Sequence, residues 1–449
     1  MGSNKPTTPL TTRLYAGLFG DGEDARVTTG ITEGAGTSAP WNFFVQLAAN
    51  VASKTGDALS SPRLVVTWLL AGLGVSPAIV GMLVPVREAG SLLPQLAIGS
   101  AVRRMPVRKW AWVAGSVLQG LSVLGIAAAA LTLRGPAAGW TILGLVAAFS
   151  LARGVSSVTG KDLLGKTVPR TRRGRLSGLA ASIAGVVTVL FGGTLAIVGP
   201  GTLPVSILAA IIAAAGAAWL FAAAVMARLR EEPGAPTDSG NGLKSAIRSL
   251  GILKRDSMFR RFVIARALLA STVLSMPFYV LLARDATGDR AATLGLFIIA
   301  SALATALSGF AWGSFADRSS RRTLMIAGAS ASAVGIVTYV VGTRVFGGTA
   351  TAPGAGDASP WIFALLFFVL SLAHTGIRVG RKTYLVDMAP ADERASYVAV
   401  SNTVIGVVLL LSGSLGILGT FLSHYEVILV FALLGLAGAA VAATLGEVE

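Results

Sequence analysis

The chain has 449 residues, of which 53% are hydrophobic and only 13% charged, against about 25% charged in soluble domains. Apolar runs of about 20 residues recur along it and mean hydropathy is +0.72, so it reads as an all-α polytopic membrane protein; the alternating ten-residue segments of a β-barrel are absent. With no cysteine, disulfides and thiolate chemistry are excluded, and the net charge of +16 is spread over alternate loops rather than gathered on a nucleic-acid-binding face.

Residues 1–40 are polar and rich in Gly and Thr, with no basic segment ahead of an apolar core, so they read as a cytoplasmic tail rather than a cleavable signal. Within them, 10–19 has the pattern of a surface helix, with a disordered stretch as the alternative. Twelve apolar spans follow, at 41–72, 77–102, 109–133, 137–163, 175–199, 204–229, 258–284, 290–316, 322–346, 360–388, 394–420 and 424–446. The first is overlong and contains Ser60-Ser61-Pro62, where the missing proline N–H predicts a kink within a single span. Residues 231–257, rich in Gly, Pro, Ser and charge, read as a cytoplasmic linker, with 243–254 as a short amphipathic helix on the membrane surface. The expected organisation is a tail (1–40), a six-helix bundle (41–230), the linker (231–257) and a second six-helix bundle (258–449).

Charge asymmetry orients these spans. One set of loops carries Arg103, Arg104, Arg108 and Lys109, then Lys166, Arg170, Arg172, Arg173 and Arg175, and later Arg228, Arg230, Lys244, Arg248, Arg318, Arg321 and Arg322. The opposite loops offer Arg134, Arg284, Arg290 and Arg344. The positive-inside rule places the first set and both termini in the cytoplasm. An internal repeat supports two halves: residues 371–408 align without gaps on 150–187, matching Ser371 with Ser150, His374 with Arg153, Lys382 with Lys161 and Pro390 with Pro169.

Ionisable groups deep in a span cost about 2.5–3.5 kcal/mol each on insertion scales, so they mark cavities or partners. In the first span Asn42, Gln46, Asn50, Lys54, Asp57 and Ser61 recur at helical spacing, and Lys54 and Asp57, one turn apart, can neutralise each other. The fourth span repeats the pattern with Ser150, Arg153, Ser157 and Lys161, and the tenth with Ser371, His374, Arg378 and Arg381; the seventh adds Arg266. In the second span Arg87 and Glu88 are adjacent and cannot share a face, so at least one reaches another helix. Asp57 and Glu88 are the candidate proton carriers, and His374 titrates near neutral pH unaided. Arg63 joins Lys54, Arg87, Arg153, Arg266 and Arg378 in a midplane inventory that leans basic and favours an anionic solute. Lys161, Asp162, Arg381, Lys382 and Asp387 fall near the cytoplasmic span ends, where snorkelling and gate contacts are expected.

The stretch 313–322 has the pattern Gly-x-x-x-Asp-Arg-x-x-Arg-Arg in a short basic loop between the eighth and ninth spans, and it resembles the signature of the major facilitator superfamily of secondary transporters. The resemblance implies two pseudo-symmetric six-helix bundles of parallel topology, with spans one, four, seven and ten lining a central cavity. It also implies that Gly313 permits tight helix approach, that Asp317 meets a neighbouring helix terminus, and that Arg318, Arg321 and Arg322 anchor the cytoplasmic gate. The matching first-half stretch, 99–109, keeps Gly99 and its basic residues but has Arg103 where the acid belongs.

The resulting expectation is a non-enzymatic secondary transporter in the cytoplasmic (inner) membrane. It would act as a monomer by alternating access, coupled to protons, on a small anionic or polar metabolite, with no cofactor, metal or nucleic acid. The alternatives are an efflux antiporter of the same fold, or a non-transporting sensor or lipid scramblase. The substrate and proton pathway is expected at Asn50, Lys54, Asp57, Arg87, Glu88, Arg153, Arg266, His374 and Arg378. Only two histidines and no His-Glu-x-x-His spacing argue against a membrane-embedded metalloenzyme.

Overall fold

Backbone inside a bilayer must satisfy its own hydrogen bonds, and these apolar runs do so as helices. The computed structural model describes residues 10–19, 36–198, 201–234, 250–345, 359–390 and 393–448. The short α1 (Leu10–Phe19) is followed by α2 (Ala39–Leu59), α3 (Val65–Gly72), α4 (Pro77–Leu92) and α5 (Gln95–Arg103). Long helices α6 (Lys109–Thr132), α7 (Gly135–Thr167), α8 (Arg170–Val198) and α9 (Val205–Met226) complete the first half. In the second half α10 (Ile252–Arg255) leads into α11 (Ser257–Leu269), α12 (Ser271–Leu274) and α13 (Met276–Thr287). Then come α14 (Ala291–Arg318), α15 (Ser320–Val345), α16 (Pro360–Met388), α17 (Arg394–Ser412), a 3-10 turn (Gly413–Ile417), α18 (Leu418–Phe421) and α19 (His424–Ala443).

Among the described residues, ten helical stretches are long and apolar enough to cross a membrane, which makes this a multi-pass membrane protein. The broken pairs α2–α3 and α4–α5 fit as the other two spans. The kink expected at Pro62 is a full break: α2 stops at Leu59 and α3 starts at Val65, with Thr67 donating to the freed Pro62 carbonyl at 2.7 Å. Pro94 separates α4 from α5 in the same way.

The side of the bundle that carries the Arg- and Lys-rich turns is called the basic face below, and its opposite the far face. The halves meet along two seams, α4 against α17 through α18 and α8 against α14. Near the far face both seams are tight because glycines replace side chains. A Cβ on Gly81 would lie 2.6 Å from the Gly416 Cα, and one on Gly295 would lie 2.5 Å from the Gly192 carbonyl. Backbone bonds between the halves add to this closure, with Leu203 N donating to Asp289 O at 2.8 Å and Ala291 N to Gly201 O at 3.3 Å. Towards the basic face the α8–α14 seam parts: Gly178, Gly309 and Gly313 have nothing within 4 Å of where a Cβ would sit.

On the basic face each half is clamped by an acid that follows its last long helix. Glu231, whose carboxylate is fully buried, accepts from Arg108 N at 2.9 and 3.0 Å and Lys109 N at 2.7 Å at the start of α6, and pairs with Lys166 at 2.8 Å. Glu447 accepts from Ser319 Oγ at 2.9 Å and from Arg321 at 2.7 and 3.1 Å at the start of α15. The Ser319 hydrogen bond, helped by Arg321, holds the Glu447 carboxyl below the usual glutamate range.

The stretch 313–322 is therefore not a loop: α14 runs to Arg318, α15 begins at Ser320, and Ser319 alone links them. The tail segment 10–19 is a docked helix whose Tyr15 packs with Phe43, Val168 and Leu176, while Leu10 and Leu14 remain exposed. Most of the amphipathic segment 243–254, with Lys244 and Arg248, lies outside the described residues, as do 1–9 and 20–35 of the tail.

Candidate functional site: the cavity between the halves

The polar stripe of α2 divides into two parts. Near the basic face it is structural: Asn42 exchanges bonds of 2.8 and 2.9 Å with the Arg230 backbone, and the Gln46 amide donates to Thr167 Oγ1. Asn50 donates to the Gln46 carbonyl at 2.7 Å and, with Lys54 and Asp57, turns towards open volume. Asp57 does not pair with Lys54 as its spacing suggested. It bridges Arg153 of α7 at 2.5 Å and Arg87 of α4 at 3.5 Å, two guanidiniums that offer a planar fork of donors to a carboxylate.

Arg87 and Glu88, which sequence alone placed on different faces, both reach the first span. Glu88 binds Arg63 at 2.6 Å, and Arg63 stands in the break that Pro62 creates. Aromatic faces back the other two arginines: Arg87 lies 4.9 Å from the Phe149 ring centroid and Arg153 5.8 Å from that of Trp219.

The second half is built differently. Arg266 of α11 is 7% exposed and donates to Ser401 Oγ at 2.6 Å and Asn402 Oδ1 at 2.9 Å, and its Nε has no partner. Asn402 in turn donates to Gln95 of the first half at 3.2 Å. His374 Nδ1 shares a hydrogen bond of 3.1 Å with Thr272 Oγ1. Arg378 and Arg381, which follow His374 at four and seven residues on the inner face of α16, make no hydrogen bond and no ion pair within 4 Å among the described residues, though Glu88 lines the same chamber. Arg381, expected at a span end in a gate or snorkelling role, instead lines the interior.

These side chains surround connected space. A central cavity of about 660 Å³ lies between α2–α4 and α7–α8 on one side and α14 and α16 on the other. A partly open chamber of about 260 Å³ borders it towards the second half, and a pocket of about 350 Å³ extends beside Asn50, Ser157 and Lys161. Arg63, Arg87, Glu88, Arg153, His374 and Arg378 border both the central cavity and the chamber. Of these two spaces, Lys54 and Asp57 border the first alone and Arg266 and Arg381 the second alone, so seven arginine and lysine side chains face two carboxylates.

The expected pathway residues thus converge on one connected space. Ser150 and Ser371 of the repeat are both buried, and their partners three residues on, Arg153 and His374, face the central cavity from opposite halves. The motif residues do not join them. A Cβ on Gly313 would meet nothing within 4 Å, Asp317 and Arg318 are exposed with no ion pair among the described residues, and Arg321 and Arg322 turn to Glu447, at 2.7 and 3.8 Å, instead of crossing between halves.

Residues 274–448 match the Major Facilitator Superfamily model. Over 89% of its length the chain superposes on 95% of a POT family transporter solved with 5-aminolevulinic acid (TM-score 0.66, 10% identity). It also superposes on a D-xylose-proton symporter (TM-score 0.62, 13% identity, 90% and 97%). A nucleoside transporter gives a TM-score of 0.64 at 14% identity, over 89% of this chain and 99% of that one. Residues 274–448 are thus similar in sequence to the Major Facilitator Superfamily, and over most of its length the chain shares the fold of these solved transporters. No curated protein matches it significantly in sequence. At such low identities the solved structures show a shared helical fold and nothing more, while the cavity chemistry is this chain's own.

Proposed function

We propose that this chain is a secondary transporter that carries a small anionic solute by alternating access and couples its movement to protons. The observation that carries the reading is a cavity between the halves, sealed at the far face and parted towards the basic face, in which arginines outnumber carboxylates. A surplus of guanidiniums held within membrane-spanning helices is costly unless an anion offsets it. The positive-inside rule makes the basic face cytoplasmic and sets both termini inside, in the cytoplasmic membrane of a monomeric carrier. The bundles 41–230 and 258–449, joined by the linker 231–257, would be the two rocking units.

In this reading Asp57 is the coupling group. An incoming anion competes with it for Arg87 and Arg153, which ties solute binding to the carboxylate that would carry the proton. Glu88, held by Arg63, and His374, against Thr272, stand beside it on the same route. Asp317, with Arg318, would latch the basic face when the halves swing closed there.

Counterflow and accumulation in proteoliposomes across a pH gradient test this directly. Asp57→Asn is expected to abolish gradient-driven accumulation while sparing solute exchange. Accumulation retained in that variant would eliminate Asp57 as the carrier, and uptake indifferent to collapsing the gradient would eliminate proton coupling.

A further inference from the structure

The two halves treat their arginines unequally. In the first half Asp57 engages Arg87 and Arg153, and Glu88 engages Arg63. In the chamber of the second half, Arg378 and Arg381 make no hydrogen bond and no ion pair within 4 Å among the described residues, and Arg266 meets only neutral oxygens. Arg266 is more than nine-tenths buried with an orphaned Nε, a donor that folding has desolvated and left unused.

We propose that this chamber is the seat of a doubly charged oxyanionic group, a phosphate or a pair of neighbouring carboxylates, held by Arg266, Arg378 and Arg381. A single carboxylate accepts one bidentate arginine well and offers little to the other two. Three guanidiniums call for at least two negative charges spread over several acceptor oxygens. The volume of about 260 Å³ admits such a group with a short stem and excludes a peptide-sized solute. Glu88 lines the same chamber, but its bond to Arg63 commits it to the first half, where it stands as the inner wall. The inference rests on the transport reading for its purpose, yet binding in the chamber stands or falls by itself.

The test is thermal unfolding of the purified full-length chain with phosphate, succinate, acetate or glucose at matched ionic strength. Phosphate or succinate raises the midpoint and acetate and glucose do not; which dianion acts decides between a phosphate and paired carboxylates. Arg381→Gln and Arg378→Gln each weaken dianion affinity by on the order of tenfold to a hundredfold. Both variants raise the midpoint of the ligand-free protein, because each removes a cation from a chamber where arginines outnumber carboxylates. Arg266→Gln is the harsher change, since it also strands Ser401 and Asn402, so the two α16 variants carry the test. Acetate matching the dianions, or a dianion shift that survives both substitutions, overturns the assignment. Proteoliposomes separate the two readings: dianion binding with no flux of any solute removes transport and keeps the chamber, whereas flux of a neutral solute without dianion binding removes the chamber and keeps transport.

Discussion

Gly81→Ala probes the closure of the far face through the backbone. The new Cβ would sit 2.6 Å from the Gly416 Cα and 3.3 Å from the Phe278 ring. The first of these contacts is main chain on the 3-10 turn between α17 and α18, so no rotamer change relieves it and the two segments must separate. Overpacking of this kind costs about 1–3 kcal/mol. The cost falls only on conformations that bring α4 against that turn. The balance between a closed and an open far face should therefore shift towards open by about 5- to 150-fold. The chain has no native cysteine, so spin labels at Ser76→Cys and Thr420→Cys report this distance without background. Double electron–electron resonance should show a longer-distance population that grows in Gly81→Ala and is diminished by adding Asp317→Ala, if Asp317 latches the opposite face. A distance distribution unchanged by Gly81→Ala would refute the claim that the glycine contact helps to set the conformational balance.

Two predictions concern the acid clamps. Glu231→Gln should weaken the cap on α6 and the tie to Lys166, with a loss of about 1.5–3 kcal/mol, read as a lower unfolding midpoint and faster hydrogen exchange at residues 108–112; unchanged exchange there would show that water replaces the carboxylate. Glu447 has a depressed carboxyl, so its contribution is present above the ordinary glutamate value of about 4.3 and is lost as pH falls through its own lower one. Protection of residues 443–448 from carboxypeptidase should persist at pH values where a free glutamate is half protonated, and Glu447→Gln should flatten that dependence. Release of the wild-type segment already near pH 5 would contradict the Ser319–Arg321 clamp.

Hydropathy and loop charge are local properties, so the membrane class, most of the spans and the gathering of basic turns on one side are legible in the sequence. Helical periodicity likewise picked out the faces of α2, α7 and α16, because residues at three- and four-residue spacing share a face in any helix. Which charges pair was beyond that logic. Lys54 has the right spacing for Asp57, yet the carboxylate goes to Arg87 and Arg153 on two other helices, where forked donors converge. Arg63 enters the site only because the chain breaks at Pro62, and a sequence shows the proline without showing whether the helix bends or stops. The signature at 313–322 pointed to the family whose model matches residues 274–448, but Arg321 and Arg322 hold Glu447, a partner 126 residues away from Arg321. The amino-acid order thus determined a polytopic, basic-sided bundle with polar stripes. Only the tertiary structure decided which arginines are neutralised and which are left facing a cavity, because Coulomb and hydrogen-bond energies depend on distances that helix packing alone sets.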